Sequence, residues 1–230
     1  MSLIRPGTIV LLVVFAIVAG VEIPVGAQTP CSVQASPIST ATPSVPTSER
    51  VSVGESEALL WNPSATHAVL LVHGAMYDAE SWRPQVEVIA RTGFAVLSLE
   101  EIGADDVLAG IDFLRDDCPE RRIVVIGASA GASGAMSALA SGPDGIAGLI
   151  VLAGSGDVSE LGDFPKLFVA SEEEGIAGTI QSLAESAPGD DNRVLILPGS
   201  AHAQAVFTTD QGPALLDAIL AFIEEATTTA

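Results

Sequence analysis

A chain of 230 residues is long enough for one sizeable domain and too short for two, and with 48% hydrophobic against 17% charged residues it has ample material for a core. Its 29 carboxylates outnumber 9 cationic side chains, and the resulting net charge of −20 repels phosphate backbones and anionic bilayers alike. Nucleic acid is thereby excluded as a partner, and so is attachment to a membrane surface by charge alone.

The N-terminus reads as an export signal over residues 1–27. Arg5 supplies a positive n-region, residues 9–21 form an apolar run ending at Glu22, and Val25, Gly26 and Ala27 offer a small-residue cleavage site before Gln28. That run is short for a bilayer span, which needs about 20 residues. Left uncleaved, it would instead anchor the chain to a membrane. Residues 28–50 are rich in Ser, Thr, Pro and Ala without apolar periodicity, which predicts a disordered spacer. The two cysteines, Cys31 and Cys118, permit either a bridge from this spacer to the domain or two separate thiols. Neither has metal-ligand neighbours, so no metal site is indicated.

From residue 51 onward the pattern turns regular. Continuous apolar runs at 68–72, 94–99, 123–126, 149–152, 167–170 and 194–197 carry no polar face, as expected of parallel strands covered on both sides. Between them lie helical patterns. Trp82, Val86 and Ile89 share one face, Val107, Ile111 and Leu114 share another, and a last helix opens at Pro213 with Leu215, Ile219, Phe222 and Ile223 at helical spacing. Residues 51–61 add one or two antiparallel edge strands. The expectation is a single α/β domain over 51–230, with a mostly parallel central sheet flanked by helices.

The chemistry concentrates in Gly127-Ala128-Ser129-Ala130-Gly131, a G-x-S-x-G pattern directly after the 123–126 run and before a small-residue helix. A serine on a sharp strand-to-helix turn takes a strained backbone position, and side chains at the flanking glycines would collide with it. The turn aims the hydroxyl away from the sheet. Only three histidines exist: His67 at the wrong edge of the sheet, His73 beside a turn, and His202 in a loop between the last strand and the last helix. His202 is therefore the candidate base, since imidazole can reach a hydroxyl and titrates near neutral pH.

With these motifs the chain resembles the α/β-hydrolase family over nearly all of residues 51–226. Leu70-Leu71-Val72-His73-Gly74-Ala75 looks like that family's first central strand and oxyanion turn. The resemblance implies that the amides of Ala130 and Ala75 hold the oxyanion, with Met76 replacing Ala75 if the turn is offset by one residue. It places His202 where the family keeps its histidine. The family's acid is usually an aspartate after the penultimate strand, and no aspartate stands there. Glu174 falls at that position, Glu173 lies one step away, and Asp157, after the 149–152 run, is the alternative from an earlier strand. Only a short loop separates residues 154 and 164, where many relatives insert a helical cap, so an open site is expected.

Together these readings describe an exported serine hydrolase. It would act on a small-molecule acyl substrate, an ester or related compound, through a Ser129–His202–acid triad and an acyl-enzyme, with no cofactor. Two alternatives remain open: transfer of the acyl group to an acceptor other than water, and a non-catalytic exported domain that uses the fold as a binding scaffold.

Overall fold

The computed structural model describes residues 47–228. The expected export signal, most of the expected spacer and Cys31 lie outside the described residues. An antiparallel hairpin, β1 (Glu49–Val53) and β2 (Ser56–Trp61), turns through Gly54 at φ 58°. Six parallel strands follow: β3 (His67–Val72), β4 (Ala95–Leu99), β5 (Arg122–Ala128), β6 (Ile146–Leu152), β7 (Lys166–Ser171) and β8 (Asn192–Leu197). The sheet order is β1-β2-β4-β3-β5-β6-β7-β8, with β2 antiparallel to β4. Each expected run is a strand, and both edge strands form before residue 62, with Glu49 and Arg50, expected in the disordered spacer, paired in β1 instead.

Five helices cover the sheet: α1 (Arg83–Arg91), α2 (Ala104–Asp116), α3 (Ala130–Leu139), α4 (Ala177–Ser186) and α5 (Gly212–Thr228). On one face α2, α3 and α4 bury Val107, Ile111, Met136, Leu139 and Ile180 against alternate strand residues such as Leu70, Val125 and Leu149. On the other, α1 and α5 bury Val86, Ile89, Leu215, Ile219 and Phe222 against Val69, Val124 and Ile150. Successive strand residues thus feed opposite cores, which is why the strands read as unbroken apolar runs.

Winding decides where a site can form. After β3 the chain crosses to β4 on one side, then returns past β3 to β5 on the other. The loops leaving β3 and β5 diverge from adjacent strands and open a crevice at their carboxyl ends, the switch point where open α/β sheets bind ligands.

The cations occupy the opposite edge. Arg121, Arg122, Lys166 and Arg193 all stand at or just before strand starts. Two of them are buried and satisfied by backbone carbonyls. Arg121 donates to Ala65, Leu114 and Pro63, tying the β2–β3 loop to the end of α2. Lys166 is fully buried, and its Nζ donates to Gly162, Phe164 and Pro188 at 2.7–2.8 Å. Burial pushes its ammonium below the ordinary lysine range, and three carbonyl dipoles compensate the charge where no carboxylate bonds it. Near Arg121, the buried Cys118 is disulfide-bonded.

Replacing Lys166 with Met should therefore orphan three carbonyls at once and lower stability by about 3 kcal/mol or more. The exposed Arg50–Glu57 pair provides the contrast: Arg50→Met should cost less than about 1 kcal/mol. Urea unfolding of the two variants checks both; equal effects would refute the structural role of Lys166.

Candidate active site

Strand β5 ends at Ala128, and α3 begins at Ala130. Between them Ser129 sits at φ 52°, ψ −117°, a backbone position that L-residues rarely take. The turn is over-determined from both sides. The Ser129 amide donates to the Leu152 carbonyl on the neighbouring strand at 2.8 Å, and its own carbonyl accepts from Ala132 and Ser133 in the first turn of α3. The flanking glycines allow the close packing that holds it. A Cβ on Gly127 would lie 2.5 Å from Ala132 Cα, and one on Gly131 would collide with the His73 carbonyl and lie 2.6 Å from the Val72 carbonyl oxygen.

The hydroxyl thus presented meets His202, in the loop between β8 and the short 3-10 helix Ala203–Thr208. His202 Nε2 lies 2.8 Å from Ser129 Oγ, and Nδ1 lies 2.6 Å from Glu174 Oε1. A carboxylate only accepts, so Nδ1 donates to Glu174 and Nε2 is left to accept from the serine. Glu174 follows β7, and its second oxygen accepts from the Ser171 amide at 3.1 Å. Its side chain is 7% exposed whereas that of His202 is 52% exposed, so the carboxylate is walled in and the imidazole opens to solvent. The histidine loop is itself fastened to β7: Ser171 Oγ donates to Ala201 O at 2.6 Å, and the Glu173 amide donates to Gly199 O at 2.9 Å. Ala203, next to His202, is held at φ 49°.

The structure brings Ser129, His202 and Glu174 into one hydrogen-bonded chain. The other two acid candidates stand apart. Glu173 is exposed. Asp157 accepts from the Ser159 amide in its own turn, which holds its exposed carboxyl below the ordinary range. Among the described residues, the amides of Ala75, Met76 and Ala130 have no acceptor within the protein. Ala75 and Met76 sit in the turn closed by the bond from Tyr77 N to Gly74 O. His73 packs beneath that turn, its ring nitrogens facing the Gly74 and Glu100 carbonyls. Residues 153–165 form no helix, so that loop holds no helical cap.

One residue at the site escaped sequence reasoning. Gln204, buried two positions after His202, accepts from the Gly74 amide through Oε1 at 2.8 Å and donates from Nε2 to Ser81 Oγ at 3.0 Å. It joins the histidine loop to the turn carrying Ala75 and Met76. No local pattern marks it, because both partners lie more than 120 positions away in sequence. A larger cavity of about 430 Å³ lies at the opposite edge of the sheet, beside Arg193 and Phe222. Arg193 there is paired with Asp191 and Glu225, and the hydroxyl of Thr228 in its lining donates to the Glu224 carbonyl.

No protein-family model matches the chain, and no curated protein matches its sequence. Its likeness is to solved structures. A dienelactone hydrolase from Anabaena variabilis is 20% identical, with a TM-score of 0.66 over 79% of this chain and 99% of that one. An esterase/lipase from an uncultured bacterium is 18% identical, with a TM-score of 0.66 over 84% and 94% of the two chains. An esterase from Mycobacterium tuberculosis is 16% identical, with a TM-score of 0.63 over 80% and 93%. The chain has the α/β-hydrolase fold, as the sequence resemblance implied.

Gly131→Ala should destabilise the domain by about 3 kcal/mol or more, because its Cβ would strike backbone that no rotamer change can move. Gly178 in α4 has open space around it, so Gly178→Ala should be neutral or stabilising by roughly 0.5–1 kcal/mol. Thermal melts of the two variants decide whether close approach, rather than glycine itself, is what the turn requires.

Proposed function

We propose that the protein is an exported serine hydrolase that cleaves small esters or related acyl compounds, with Ser129 as nucleophile, His202 as base and Glu174 as acid. The observation carrying this reading is the unbroken hydrogen-bonded chain from Ser129 Oγ through His202 to the buried Glu174 carboxylate. Ser129 Oγ attacks the acyl carbon as its proton passes to His202 Nε2. The tetrahedral intermediate collapses, the bond to the leaving oxygen breaks, and His202 gives that oxygen the proton. Water then attacks the acyl-enzyme, losing a proton to His202, which returns it to Ser129 as the acid product departs. Glu174 fixes the tautomer and stabilises the imidazolium formed on the way. The free amides of Ala130 and Ala75, or Met76, are suited to the oxyanion, which carries charge that the ground-state carbonyl lacks.

Ser129→Ala should abolish hydrolysis of short p-nitrophenyl esters and labelling by a fluorophosphonate, with folding intact. Glu174→Gln should lower kcat by a factor on the order of 10² or more, while Asp157→Asn and Glu172→Gln leave it near wild type. A crippled Asp157 variant beside a silent Glu174 variant would move the acid to the loop after β6.

Export is supported by the N-terminal pattern and by the disulfide at Cys118, a bond that persists in oxidising compartments. Mass spectrometry of secreted protein should find a mature chain starting near Gln28. A start at Met1 in the membrane fraction would replace secretion by anchoring.

A further inference from the structure

Of the three large apolar side chains left exposed among the described residues, Met76, Tyr77 and Val194, two stand on the turn beside Ser129. Clustered exposed apolar surface is disfavoured in water and commonly marks a face that a ligand covers. A Cβ on Gly74 would lie 3.5 Å from Ser129 Cβ and 3.6 Å from Tyr77 Cδ2, so the serine and the tyrosine ring flank a single glycine. Tyr77 also lines a cleft of about 160 Å³, together with Pro84 and Gln85 at the head of α1 and Phe207 and Thr208 of the short helix after His202. Ser81 and Gln204 complete the lining.

We propose that this cleft binds the alcohol part of the ester, and that it selects an uncharged apolar group about the size of a benzene ring. The inference rests on the hydrolase reading above and specifies its substrate class. The side follows from proton transfer. The leaving oxygen takes its proton from His202 Nε2, so the group it carries lies against the loop bearing His202. The helix Ala203–Thr208 continues that loop and supplies Phe207 and Thr208 to the cleft. Size follows from volume: an apolar cavity of ~150 Å³ holds one benzene ring, and this cleft, with Tyr77 and Phe207 in its lining, is of similar volume.

Charge follows from the surroundings. No lining side chain is ionisable apart from the Tyr77 phenol. Arg83, next to Pro84, is engaged with Glu80 and lies over the Trp61 ring. The loops leaving β3, β4, β6, β7 and β8 contain Asp78, Glu100, Asp157, Glu172 and Glu173, but no lysine or arginine. A carboxylate entering the cleft would lose water, meet no cation and face a negative rim.

The test compares kcat/KM for benzyl acetate, ethyl acetate and 4-carboxybenzyl acetate on the wild-type protein. Benzyl acetate should exceed each of the other two by about tenfold or more, the scale at which apolar pockets discriminate. Thr208→Trp, which fills the cleft from its rim, should lower the benzyl-to-ethyl ratio by a similar factor, and Gln85→Trp should do so from the other wall. Equal rates for benzyl and ethyl esters, or a ratio that neither variant moves, would overturn the proposal while leaving the hydrolase reading intact. Binding of benzyl alcohol reads the cleft independently of turnover. Its ¹H–¹⁵N shifts should concentrate at Tyr77, Gln85 and Thr208, and shifts elsewhere alone would also overturn it. Absent phosphonate labelling of Ser129 would instead sink the hydrolase reading.

Discussion

The first turn of α3 runs hard against the end of β3, with Gly131 so near the Val72 and His73 carbonyls that no Cβ fits between them. This contact, with the β6 carbonyl that receives the Ser129 amide, leaves the chain no relaxed route from β5 into its helix. The strain at Ser129 is held by the fold rather than by the residue itself. Much else follows from that packing. It brings the β3 turn beside the serine and leaves Oγ within reach of a histidine arriving from the loop after β8. Gln204 and Ser171 fix that arrival, one on the β3 turn and the other on β7. The serine, histidine and acid therefore come from three loops held by strands of one hydrogen-bonded sheet.

Charge is distributed along the strand axis. The carbonyl-bound Arg121 and Lys166, with Arg122 and Arg193, cluster where the parallel strands begin. Carboxylates dominate the loops where the strands end. A cation spent on carbonyls at the lower edge cannot neutralise the mouth of the site, so the carboxylates there keep their negative field.

Much of this was legible in the sequence, and the reasons differ by element. Strands β3 to β7 announced themselves because burial on both faces removes polar interruptions, whereas β8 at the sheet edge carries an apolar run although Val194 stands exposed. Ser129 was legible because its turn demands glycines at fixed offsets, and His202 because the chain offers so few histidines. The carboxylate was harder to choose: Glu172, Glu173 and Glu174 are chemically alike, and only the path of the backbone after β7 turns one inward and leaves two in solvent. Helix α4 gave no signal, since its short Ala-, Gly- and Ser-containing stretch buries just Ile180, Leu183 and Ala184. Gln204 was silent for a related reason. Its importance lies in two partners distant in sequence, and glutamine beside a loop histidine has no distinguishing local grammar.

His202 stands half open to solvent, with a bare loop in place of a cap. On the proposed reading this exposure sets the lifetime of the covalent intermediate. An acyl group on Ser129 would sit beside a base that bulk water reaches from outside, without a closing motion to wait for. Acceptors other than water would need a dry, shaped chamber in which to compete. The same openness that removes any gate on substrate arrival therefore removes shelter from the intermediate, and commits each acyl group to water soon after it is captured.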